Sequence, residues 1–132
     1  MASVSTDEQQ PAEAERPTSV LSELTNAMVK LHKEQFGRGP LAARAAWAGD
    51  NTLVVTFSDA LLPAEQALVE MGVSDRVQES RLYFQEATRE RFIDTTVGII
   101  GRDVAAFSSA CDPRAQVVWE IFQFEPEAHP TH

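Results

Sequence analysis

Two glycine–arginine pairs split this chain into matching halves, and they constrain its fold more than any other feature. Gly37-Arg38 and Gly101-Arg102 each follow a helical pattern, which ends in Phe36 or Ile100. Each pair then precedes two segments of strand character. Glycine just past a helix accepts the left-handed backbone that stops it. The chain therefore reads as helix, hairpin, short helix, long helix, hairpin. The fold class this predicts is α+β: a four-stranded antiparallel sheet from two β-hairpins, packed by helices, with a degenerate α-β-β repeat beneath it.

The first helix is expected from about Ser19 to Phe36. Val20, Leu21, Leu24, Met28 and Leu31 recur there at helical spacing and form one apolar stripe. Ala42 to Ala48 and Thr52 to Ser58 are predicted strands around Gly49-Asp50-Asn51, residue types that tolerate the positive φ of a tight turn. Pro63 opens a short helix over Ala64 to Met71, closed by Gly72. Ser74 is the expected cap of a longer helix that reaches Ile100. The second hairpin is predicted over Asp103 to Ala110 and Ala115 to Phe124, turning at Cys111-Asp112-Pro113-Arg114. Its last strand is apolar on both faces, with Val117, Trp119 and Ile121 on one and Val118, Phe122 and Phe124 on the other. Such a strand is either central in a covered sheet or part of an interface.

Length and charge narrow the function classes. The chain has 132 residues, which suits a single domain, expected over residues 18–125. Residues 1–17 are polar and acidic, and too poor in apolar surface to offset their ordering entropy, so a disordered tail is expected there. Residues 126–132 read as a flexible C-terminal tail. The formal net charge is −9. Phosphate neutralisation drives nucleic-acid binding, so an acidic chain fits neither nucleic acid nor an anionic lipid surface. Met1 to Arg16 contains no apolar run, so neither a secretory signal nor a membrane span is expected. Cys111 is the single cysteine, which precludes an internal disulfide and suits a reducing, cytoplasmic compartment.

The stretch from Ala27 to Val55 carries a further signal. Lys30-Leu31-His32-Lys33-Glu34, Phe36-Gly37-Arg38-Gly39-Pro40, Arg44, and Gly49-Asp50 before Thr52-Leu53-Val54-Val55 together resemble the MpsC-like family. Leu61-Leu62-Pro63-Ala64-Glu65 and Gly101-Arg102 look similar as well, so the resemblance spans roughly residues 20–125. It implies a soluble accessory component of a sodium-translocating, membrane-potential-generating system, linked in some members to inorganic-carbon supply. A subunit of a membrane transport complex is the partner so implied. The family supplies no chemistry to carry over.

The residues themselves offer little catalysis. Phosphate-loop, dinucleotide, nucleophile-elbow and zinc-protease patterns are missing. His32 has no carboxylate three or four residues away, and reads as a surface histidine. Cys111, without a nearby base, reads as an inert thiol, and one cysteine with one histidine in the domain makes no usual zinc site. The alternating charges from Glu79 to Arg91 read as a solvated helix face. No catalytic residue, metal or cofactor is therefore expected, and the expected class is a non-enzymatic accessory or regulatory binding protein.

Two ligand readings stay open. Arg38 after the first helix could complement its dipole, or join Arg44 and Arg102 in an anion cluster suited to bicarbonate, carboxylate or phosphate. That cluster would make the chain a small-molecule anion sensor or weak enzyme. Trp47, Trp119 and Phe122 are candidate interface residues, although both tryptophans fit a core equally well. The two-sided last strand and the apolar helix end at Val97 to Ile100 motivate a homodimer.

Overall fold

The computed structural model describes residues 17–127. Residues 1–16 and 128–132, which hold nearly all of the two expected tails, lie outside the described residues. Helix α1 (Pro17–Phe36) leads to strands β1 (Ala42–Trp47) and β2 (Thr52–Ser58). Helices α2 (Pro63–Glu70) and α3 (Ser74–Ile100) follow, then β3 (Val104–Asp112) and β4 (Val117–Phe124). The four strands form one antiparallel sheet in the order β1-β2-β4-β3. The second strand of each hairpin thus lies at the centre, the arrangement that a two-fold relation between α-β-β halves produces.

Both halves stop their helices in the same way. Gly37 and Gly101 take φ of 86° and 80°, and their N–H groups reach back to the Lys33 and Val97 carbonyls at 2.8 Å. A side chain with Cβ would be strained at either position. Some local expectations shift by a few residues. The first helix starts at Pro17 rather than Ser19, and Val73, not Ser74, is the residue before α3. Strand β3 continues through Cys111, which therefore stands in a strand and not in the turn. The turn is made by the residues after Asp112, with Gln116 at φ 59°.

The core lies between the sheet and the helices. Leu53, Val55 and Phe57 of β2 alternate inward and are fully buried, as do Val118, Phe122 and Phe124 of β4. They meet Leu24 and Met28 of α1 and Val77 and Phe92 of α3. The opposite face of β2 and β4 is half-buried at Val54, Thr56, Val117, Trp119 and Ile121. The helices all pack on the other side, so no described element covers this face.

Candidate functional site

One position of the core-facing row of β4 is not apolar. Glu120 stands between Val118 and Phe122 and is 4% exposed. The Ser109 hydroxyl of β3, directly opposite in the register, donates to its Oε1. Burial pushes the Glu120 carboxyl up to about 8, against smaller lowering effects from the Ser109 hydrogen bond and the Arg81 charge. Near neutral pH this acid is therefore largely protonated.

Arg81, two turns into α3, is the second buried polar group, at 2% exposure. Its Nε and Nη2 donate to the two carboxylate oxygens of Glu65 at 2.8 and 2.6 Å. Nη2 also donates to the Ala60 carbonyl at 3.0 Å, and Nη1 lies 3.4 Å from His32 Nε2. The guanidinium carbon sits 4.0 Å from the centre of the Phe36 ring. Planar geometry and five fixed donors suit arginine to this enclosed fork. Glu65 also accepts from the Leu62 N–H at 2.8 Å, so one carboxylate both caps α2 and clamps α3.

His32 is buried at 1% exposure, not on the surface as its helix neighbours suggested. Its ring packs 4.8 Å from Phe36 and 5.1 Å from Phe57. Burial first and the Arg81 charge second lower it to about 4, while the Arg38 backbone and Glu65 act in the other direction. Its Nδ1 is buried and has no hydrogen-bond partner among the described residues. The correction has a simple origin: the partner Arg81 is 49 residues away in sequence. Arg81 itself sits inside the charge run read as a solvated face, of which it is the buried member.

These groups make a poor nucleophile or base. The His32 ring is neutral and enclosed. Burial raises the Cys111 thiol to about 11, so its thiolate is scarce. Among the described residues no three His, Cys, Asp or Glu side chains could together hold a metal ion. Outside the cluster, a groove of about 480 Å³ runs between α3 and the edge strand β3. Leu82, Asp75 and Glu79 line it on the helix side, Ser109 and Cys111 on the strand side. Beyond it, Glu86 and Arg89 continue the helix wall. Arg89 donates to the Phe107 carbonyl at 3.1 Å and keeps its charge, but Asp75, Glu79 and Glu86 outnumber it, so the groove is acidic on balance. Leu82, Tyr83 and Phe84 are exposed by 60%, 74% and 44% along the same helix.

The three arginines of the anion reading do not meet. Arg38 is exposed before β1, and Arg44 is exposed in mid-strand opposite Thr56. Arg102 binds the far end of that hairpin, donating to the Asp50 carbonyl at 3.1 Å and to Asn51 Oδ1 at 2.5 Å. The six residues of β1 put about 20 Å between the two glycine–arginine turns. Arg102 also donates to the Glu125 carbonyl and lies 5.1 Å from the Phe124 ring, so it fastens strand ends together.

The three candidate interface residues are likewise apart. Phe122 is fully buried on the helix-covered face, and Trp119 faces the opposite way. Trp47 is 40% exposed at the end of β1, 5.6 Å from Phe124. Alternation along β4 already separates positions 119 and 122. It also places Glu120 among the inward residues, a signal the sequence reading passed over.

Among the described residues no helix is long and apolar enough to cross a membrane. The family model described as Na+-translocating membrane potential-generating system (MpsC) matches residues 17–126. None of the curated proteins and none of the solved structures compared matches the chain.

Proposed function

The chain belongs to the MpsC family, and from that membership we propose that it is a non-enzymatic accessory subunit that docks on a membrane-spanning component of a sodium or membrane-potential system. The observation that carries this reading is the exposed run Leu82-Tyr83-Phe84 beside an acidic groove. Leu82 lines the groove and Tyr83 stands in water next to it, which marks a contact surface, while Phe84 leans on the Phe36 ring of α1 at 5.4 Å. Asp75, Glu79 and Glu86 around it complement the Lys/Arg-rich loops that membrane proteins carry on their cytoplasmic side. The protein then works in the cytoplasm, and no helix among its described residues is long and apolar enough to span the membrane. The buried Arg81 cluster supports the reading by keeping α1, α2 and α3 in fixed relation under that surface.

The test is affinity purification of tagged protein from gently solubilised membranes, followed by mass spectrometry. A membrane-spanning subunit should co-purify with the parent and be lost with Tyr83→Asp or Glu79→Lys. Recovery of no membrane protein, or recovery indifferent to both substitutions, would overturn the proposal. The anion-sensor alternative rests on arginines that the fold keeps apart, and no observation favours it.

A further inference from the structure

The open face of the sheet carries a second, independent pattern. Its outward residues alternate with the buried core positions, and the register aligns them into rows. One row runs Arg44, Thr56, Trp119, Ala110 from edge to edge. In the next row Val117 pairs with Asp112, at the β3 edge. Arg44 and Asp112 are the two charged side chains on this face, and both are exposed. Every other outward residue is Ala, Ser, Thr, Val, Ile, Gln or Trp. Charge is thus somewhat scarcer on this face than in the whole chain, of which 23% is charged. The one cation lies on strand β1 and the one anion on strand β3, the two edges of the sheet.

We propose that this face pairs with the same face of a second copy, about a two-fold axis running parallel to the strands. Such an axis lays β1 of one copy over β3 of the other. Arg44 then stands above Ala110 of the partner subunit, one row from the partner's Asp112. Same-face neighbours along a strand are about 7 Å apart, within the reach of an arginine side chain. The reciprocal contact forms by symmetry, as an isologous interface requires. Trp119 and Ile121 occupy the centre, where aligned sheets interdigitate about 10 Å apart. Small residues let the sheets approach around the tryptophan. Asp112 Oδ1 accepts from the Ala115 N–H at 3.2 Å, which fixes its carboxylate in place at the edge. The pairing is separate from the Tyr83 surface, which lies on the helix side.

Light scattering on the full chain at micromolar concentration should give a dimer. Arg44→Asp and Asp112→Arg should each weaken it by at least about tenfold in dissociation constant. The double exchange Arg44→Asp/Asp112→Arg should return it to near the parental value. Circular dichroism checks that each variant is folded. Trp119→Asp, in the centre, gives a second way to break the contact. A monomeric parent, a dimer indifferent to all these changes, or a double exchange that rescues nothing would each overturn the proposal. A monomer whose Trp119→Asp variant loses a membrane subunit would assign the face to that partner instead.

Discussion

Arg81 and Glu65, sixteen residues apart on different helices, form a two-pronged ion pair in which the arginine side chain is 2% exposed and the glutamate 13%. The pair cannot be dissolved from one side without stranding a charge. Removing one partner of a buried pair costs about 3–5 kcal/mol, because the other remains desolvated. Arg81→Met should therefore lower unfolding stability by that amount, read from the denaturant midpoint at unchanged slope. Arg81→Lys should recover only part, since an ammonium cannot span both carboxylate oxygens. A loss below about 1 kcal/mol for Arg81→Met would mean the pair contributes little.

The two displaced titrations act on stability in opposite directions. Glu120 is held at about 8 when folded, against 4.5 ordinarily. Between these values the folded chain keeps a proton that the unfolded chain has released, so stability falls as pH rises. His32 is held at about 4 against 6.5, so between those values the unfolded chain holds the extra proton and stability rises with pH. The effects oppose one another below pH 6.5, and Glu120 acts alone from there to about 8. Its slope is at most about 1.4 kcal/mol per pH unit. Chemical denaturation of parent and Glu120→Gln across that range should show the decline in the parent and a much flatter line in the variant. Parallel lines would refute the assignment.

Cys111 should react slowly with a thiol reagent in the folded protein and at the ordinary rate after unfolding. Burial at 8% exposure and a thiol raised to about 11 both suppress the thiolate. Equal rates in the two states would contradict this.

Arg102→Ala should loosen the hairpin tip without abolishing the fold. It removes charge-assisted bonds to Asp50, Asn51 and Glu125, worth about 1–3 kcal/mol together. Hydrogen exchange should quicken at the Phe124 amide, which donates to the Asn51 carbonyl at 2.8 Å. Exchange unchanged there would show that the backbone pairing holds unaided.

Much of the architecture was legible because its signals are local. Gly37, Gly72 and Gly101 end helices wherever they stand, and the β-branched run of β2 announces a strand within a few residues. The polar cluster was hidden because its members meet across the fold. His32 faces Arg81 from another helix, and the bond from Arg81 to the Ala60 carbonyl crosses from helix to loop. Arg81 also shares its sequence neighbourhood with exposed charges such as Glu79 and Glu86, so charge alternation concealed it. Glu120 was accessible to period-two reasoning, since both inward neighbours on β4 are apolar. Arg38, Arg44 and Arg102 stay apart for a related reason: the two glycine–arginine turns look alike in sequence, although one precedes β1 and the other braces its far end.

The pairing of β2 with β4 has a consequence during synthesis. Ser58 pairs with Val117 and Thr52 with Gln123, so the centre of the sheet joins stretches made far apart in time. At about 5–20 residues per second, the ribosome needs roughly 3–12 s to travel from the end of β2 to the start of β4. Through that interval Leu53, Val55 and Phe57 belong to a nascent hairpin whose inner edge has no strand beside it. Such an edge invites pairing with another chain. The late arrival of β4 makes the newborn chain a natural client for chaperones that shield unpaired strands.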